Sequence, residues 1–139
     1  MPRNVTRIRV AFVDVDSSQR IHYTAMFRYF EIAEHDLMRA LDLPYSQGLH
    51  DYRFPRVHLD CDFRGAIHFD DLLDLEARVH RVGTTSWAIR FEARQVRDGS
   101  LAADGHMTIV ALDPVHERPT PLPAELRAAL ESDVGDLSM

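Results

Sequence analysis

The stretch Val13-Asp14-Val15-Asp16-Ser17-Ser18-Gln19-Arg20-Ile21-His22-Tyr23, running on into Thr24-Ala25-Met26-Phe27-Arg28-Tyr29-Phe30-Glu31, decides how this chain is read. An apolar, strand-like segment ends in two carboxylates, Asp14 and Asp16. A short polar loop follows, and a long, mostly apolar helix begins. A carboxylate is thereby brought near a helix N-terminus. The first backbone N–H groups of a helix have no intrahelical partner and can hold a developing oxyanion.

Upstream of this junction, Ile8, Val10 and Phe12 alternate with Arg7, Arg9 and Ala11. The alternation predicts a strand over about residues 5–16. From Val10 to Val13 both faces are apolar, as in a central strand covered on both sides. Downstream, Met26, Phe30, Ala33, Leu37 and Leu41 recur at helical spacing and predict a helix over 24–41. Arg28, Glu31, His35 and Arg39 form one narrow polar stripe, while Tyr29, Ile32, Met38 and Ala40 widen the apolar surface. Such a helix should be wrapped by a sheet and run roughly 27 Å at ~1.5 Å per residue, with Pro44 marking its end.

Four strand patterns follow, over about 54–64, 73–79, 87–93 and 106–112. In the first, Val57, Leu59, Cys61 and Phe63 share one face, and His58, Asp60 and Asp62 the other. Val82-Gly83-Thr84-Thr85 and Asp98-Gly99-Ser100 carry the residues of hairpin turns. A short helix is predicted over 124–130, with Pro121 and Pro123 ahead of it. Strand, long helix, then an antiparallel meander is an α+β order: one sheet around one helix, in a single domain spanning residues 1–139. The sheet keeps free edges, so pairing with a second copy is expected.

Composition excludes several functions. The formal charge of -6 gives no basic face for nucleic acid. No apolar run is long enough to span a bilayer, and the N-terminus carries no signal core. The one cysteine, Cys61, sits on the apolar face of its strand, where it reads as a small buried hydrophobe rather than a nucleophile. A cytoplasmic protein is therefore expected. The eight histidines show no metal-ligand spacing, and there is no G-x-S-x-G elbow, P-loop or dinucleotide glycine pattern. Neither a metal nor another cofactor is expected.

In the order and spacing of these segments the chain resembles the hot-dog fold, specifically the 4-hydroxybenzoyl-CoA thioesterase family. The resemblance is carried by Asp14-Val15-Asp16, the loop Ser17-Ser18-Gln19-Arg20, Ile21, His22-Tyr23 and the helix from Met26 to Glu31. It continues through Phe63-Arg64-Gly65-Ala66-Ile67-His68-Phe69-Asp70-Asp71, Val82-Gly83-Thr84-Thr85-Ser86 and Pro119-Thr120-Pro121-Leu122-Pro123-Ala124-Glu125-Leu126. It implies a curved antiparallel sheet wrapped around one central helix, and hydrolysis of an acyl-CoA or acyl carrier protein thioester by a homodimer or homotetramer.

Carried over residue by residue, the resemblance puts Asp16 on the catalytic aspartate, which attacks the thioester carbonyl or activates water for that attack. The backbone N–H of Tyr23 falls on the group that polarises the carbonyl, and Asp14 on a structural carboxylate at the strand end. The family usually has glycine where Gln19 stands and often tyrosine where Met26 stands. Some relatives carry a basic cluster for the CoA nucleotide where this chain has Thr84 and Thr85. Arg53, Arg56, Arg64 and Arg81 are the candidate phosphate contacts, so Gln19, Met26, Arg56, Arg64, Arg81, Thr84 and Thr85 make up the expected substrate-binding set.

Plainer readings stand beside these. Without the resemblance, Asp16 is a turn or capping aspartate. Glu31 lies eight residues after Tyr23, where another branch of hot-dog thioesterases carries its catalytic carboxylate, but it also stands i,i+4 to His35 as a surface pair. His22 either orients water or the acyl group, or is an ordinary loop histidine. Two other functions remain: a non-catalytic hot-dog module that binds an acyl thioester, and, ranked last, a dehydratase, whose hydration motif is absent.

Overall fold

A computed structural model describes residues 1–49 and 51–138. The order is β1 (Arg3–Arg9), α1 (Tyr23–Ala40), β2 (Arg56–Phe63), β3 (Leu72–Val82), β4 (Ser86–Gln95), β5 (Leu101–Val110) and α2 (Ala124–Leu130). The five strands form one antiparallel sheet in the order β1-β3-β4-β5-β2. The helix is inserted between β1 and β2 in sequence, and those two strands end up on opposite edges.

One face of the sheet packs on α1. Leu73, Leu75, Ala77 and Val79 of β3, Ile89, Phe91 and Ala93 of β4, and Ala103, Met107 and Ile109 of β5 are all buried there. They meet Met26, Phe30, Ala33, Leu37 and Met38 of the helix, and the Phe30 and Phe91 rings stack with centroids 4.5 Å apart. At Gly105 a Cβ would run into the Asp60 carbonyl of β2 and the Phe30 ring of α1. Only glycine lets the β5 backbone approach both this closely.

The opposite face is charged. Arg7 pairs with Asp74 at 2.9 Å, and Glu76 accepts from Arg3 at 2.6 Å and Arg78 at 3.0 Å. Glu92 lies between Arg90 and Arg94, and Asp104 between Arg64 and Arg90. His58 projects on this face and shares a 2.7 Å contact with Asp60. Each exposed pair is worth little by itself. Together they solvate the face that does not meet the helix.

Two expectations about the first segment need correction. The strand ends at Arg9, not Asp16, and it is an edge strand rather than a central one. After Val10 the chain turns through a 3-10 helix at Phe12–Asp14, which leaves Phe12 71% and Val13 85% exposed. Val10 is buried in the core, but Ala11, Phe12 and Val13 face solvent, so the apolar run is not burial on two sides. The last strand also begins earlier than its apolar pattern implied, at Leu101, because Asp104 and Gly105 interrupt the apolar run without interrupting the ladder. Among the described residues no helix is long and apolar enough to cross a membrane.

Candidate active site

The polar loop is a tight, hydrogen-bonded structure. Asp16 N–H donates to the Arg20 carbonyl at 2.8 Å, and Gln19 N–H donates back to the Asp16 carbonyl at 2.9 Å. Oδ1 of Asp16 accepts from Ser18 N–H at 2.8 Å and from the Ser18 hydroxyl at 2.6 Å. The side chain is exposed. The Ser18 bonds, with help from Arg20 N–H and the nearby His22, hold the Asp16 carboxyl below its usual range.

Gln19 makes this turn with φ at +62°, the left-handed region that glycine enters at little cost. This explains why the resembling family favours glycine there. Two bonds then fasten the loop to the chain after β2: Phe69 N–H to the Gln19 carbonyl at 2.9 Å, and Ile21 N–H to the Ile67 carbonyl at 2.8 Å.

His22 is the N-cap of α1, its Nδ1 accepting from Thr24 N–H at 3.3 Å. Its ring stacks on Tyr23 with centroids 4.5 Å apart. Ala25 N–H is taken by the His22 carbonyl. The N–H of Tyr23, the first residue of the helix, has no partner among the described residues. It is a free donor at the positive end of an 18-residue helix.

Asp14 is buried, and nothing in its surroundings leaves it free to react. Its carboxylate accepts from the Tyr29 hydroxyl at 2.7 Å and from Arg28, and its carbonyl accepts from His22 N–H at 2.8 Å. Burial works to raise its pKa, but the bonds from Arg28 and Tyr29 and the Arg28 charge outweigh it, and the carboxyl lies below its ordinary value. Burial and the bond to Asp14 push the Tyr29 hydroxyl well above the usual phenol range.

The other expected residues are scattered across one chain. Met26 is fully buried in the core. Arg64 is held by Asp104 at 2.9 Å. Arg81, Thr84 and Thr85 lie at the β3–β4 hairpin, about ten residues along β3 from the Asp16 loop and so roughly 33 Å away at ~3.3 Å per residue. Glu31 is exposed and shows no ion pair with His35 among the described residues. Both line an open cleft of about 460 Å³ with Tyr45, Tyr52, Phe54 and Arg56. Arg56 turns into the protein, pairing with Glu34 and lying 5.2 Å from the Tyr45 ring centroid. Burial and nearby Asp104, Asp62 and Asp60 push the Cys61 thiol up to about 11, which suits an inert side chain.

Three participants escaped the sequence reading. Ser18, two residues after Asp16, is its hydrogen-bond partner, and an Asp-x-Ser turn is a signal for that. Tyr29 was assigned only to the apolar surface. Glu34 lies completely buried on α1. Its spacing from Met26 and Phe30 puts it on the apolar stripe, which could have marked it as a buried carboxylate.

The thioesterase superfamily model matches residues 19–102, a segment that contains Tyr23 and Glu31 and begins just after Asp16. An acyl-CoA thioesterase of Haemophilus influenzae is 27% identical over 125 residues, covering 88% of this chain and 90% of the relative. A 1,4-dihydroxy-2-naphthoyl-CoA hydrolase of Prochlorococcus marinus is 28% identical over 104 residues, 67% of this chain and 69% of its own. Among solved structures, a 1,4-dihydroxy-2-naphthoyl-CoA thioesterase from Synechocystis superposes with a TM-score of 0.86 at 18% identity, covering 92% of this chain and 95% of that one. At that identity the likeness shows the fold, one antiparallel sheet around a central helix.

Proposed function

The chain belongs to the thioesterase superfamily, and on that premise we propose that it hydrolyses an acyl-CoA or acyl carrier protein thioester with Asp16 and the Tyr23 N–H as its reacting groups. The observation that carries this reading is the Tyr23 N–H at the start of α1, without a partner among the described residues and seven residues from the exposed Asp16 carboxylate, whose Ser18 bonds both fall on Oδ1. The thioester carbonyl oxygen accepts from that N–H, and the helix end stabilises the negative charge that develops on it. Asp16, ionised at neutral pH, attacks the carbonyl carbon or takes a proton from the water that does so. The C–S bond breaks and the thiolate leaves and takes up a proton; where Asp16 itself attacks, a water then cleaves the Asp16–acyl anhydride, releasing the acid and restoring the carboxylate. Neither route asks for a metal or redox cofactor.

A homodimer completes the site. The outer edge of β2 pairs with no strand among the described residues, and Val57, Leu59 and Phe63 of β2 are 60%, 38% and 48% exposed. An apolar free edge of this kind invites a second strand. Antiparallel pairing of β2 with its copy brings the Arg56 end of one subunit beside the Phe63 end of the other. The 460 Å³ cleft of one subunit then adjoins the Asp16 loop of its partner, with the acyl group along the helix between them. This also gives Glu31 and Arg56 a route to the site that a single chain lacks.

The test is release of free thiol from a panel of acyl-CoA and acyl carrier protein thioesters by wild type and Asp16→Asn. Turnover by wild type with a loss of 100-fold or more in the variant is expected. An Asp16→Asn enzyme as fast as wild type would falsify the assignment. Tight thioester binding without thiol release would instead mark a non-catalytic binding module.

A further inference from the structure

The basic side chains of this protein are all arginines, and most of them sit in ion pairs with carboxylates. Arg20 does not: its guanidinium has no hydrogen bond or ion pair among the described residues, and the side chain is exposed. It is also the arginine placed within the loop that joins Asp16 to Tyr23.

The backbone on which Arg20 stands is fixed. Its carbonyl accepts from Asp16 N–H at 2.8 Å, and its neighbours Gln19 and Ile21 are bonded to Phe69 and Ile67. Arg20 and Ile21 line an open cleft of about 360 Å³ together with Phe63, Arg64, Gly65, Ala66 and Ile67. Arg64, in the same lining, is held by Asp104 at 2.9 Å, with Asp62 3.5 Å away. The cleft therefore offers an apolar floor, one engaged guanidinium and one free one. The net charge of -6 gives no long-range attraction for an anionic substrate, so a phosphate must be met locally. A guanidinium suits it by its planar fork of donors.

We propose that Arg20 is the phosphate contact for the carrier arm of the thioester, holding a phosphate of the phosphopantetheine chain in the Arg20–Phe63 cleft. This rests on the thioesterase reading for its choice of ligand. CoA and acyl carrier protein share the phosphate at the end of the pantetheine unit, and CoA adds those of its nucleotide. Because the loop backbone is already ordered, the contact requires only the side chain to settle, which limits the entropy lost on binding.

Calorimetric titration with CoA, 4′-phosphopantetheine and pantetheine tests this on wild type, Arg20→Gln and Arg118→Gln, the last removing an exposed arginine far along the sequence that has no ion pair among the described residues. Arg20→Gln is expected to weaken CoA about tenfold, the size of one charge-assisted contact, and to leave pantetheine unchanged. An equal loss for 4′-phosphopantetheine places the contact on the shared phosphate. That outcome supports the clamp, whereas a loss for CoA alone puts Arg20 on the nucleotide's phosphates and overturns it. Undiminished CoA affinity in Arg20→Gln, an equal loss for pantetheine, the same loss in Arg118→Gln, or no CoA binding by wild type overturns it. These titrations read binding without turnover, so their failure is separable from failure of Asp16 as the reacting group.

Discussion

The Tyr29 hydroxyl donates a 2.7 Å hydrogen bond to Oδ2 of Asp14, and through it the second turn of α1 grips the loop that precedes the helix. Asp14 in turn holds His22 N–H through its carbonyl, so one buried residue sets where the loop ends and where the helix begins. Tyr29→Phe keeps the packing and removes the bond, leaving a buried carboxylate oxygen without it. A loss of about 1–2 kcal/mol is expected in urea unfolding, together with a lower kcat and little change in KM.

Asp14 also makes stability depend on pH. Its folded pKa lies below its ordinary value, so the folded state binds the proton less readily than the unfolded chain. The stabilisation is complete above the ordinary carboxylate range and is lost as pH falls through the lower, folded value. Thermal melts between about pH 6 and pH 2 should fall more steeply in wild type than in Asp14→Asn, which begins less stable.

On the proposed mechanism the acid limb of activity reports Asp16. Ser18 donates two hydrogen bonds to the ionised form, which keeps the carboxyl low. Ser18→Ala removes the hydroxyl bond and moves the pKa up towards the ordinary range. The acid limb of kcat/KM should shift to higher pH in that variant, by up to about one unit, while the neutral plateau stays flat.

Gln19 occupies a positive φ of 62°. Left-handed backbone costs a side-chain-bearing residue roughly 1 kcal/mol, and a β-branched one more. Gln19→Gly is expected to match or slightly exceed wild-type stability, whereas Gln19→Val should lose about 1–2 kcal/mol by chemical denaturation. Equal stability of the glycine and valine variants would show that the turn relaxes.

Glu34 is fully buried, and its carboxylate holds Arg56 and the Tyr45 hydroxyl, the latter at 2.7 Å. Removing it strands a guanidinium and a phenol at the base of the cleft. Glu34→Ala should cost about 3 kcal/mol in denaturant unfolding, and Glu34→Gln, which keeps an acceptor for both, clearly less.

The sequence made the architecture legible because its periodicities were unambiguous. Met26, Phe30, Ala33 and Leu37 can share a face only on a helix. The alternation of Leu73, Leu75, Ala77 and Val79 can share one only on a strand. The predicted helix differs from α1 by one residue at each end, and α2 spans the residues expected. Failure came after the buried Val10, at Ala11 to Val13. Apolar residues there imply burial only if the chain stays extended, and it does not.

Residue type and order thus determined the fold class, the family and the placing of a carboxylate just ahead of a helix. Which carboxylate is free could be settled only by the folded chain. Asp14 and Asp16 are two positions apart and chemically identical in sequence, yet one is buried under Tyr29 and Arg28 while the other turns outward onto Ser18. The same holds for the unpaired Tyr23 N–H, the buried Glu34 and the unengaged Arg20. Each depends on which groups from distant parts of the chain come within hydrogen-bonding distance. Periodicity carries no record of that, because it reports the face a residue lies on and not the partner it meets.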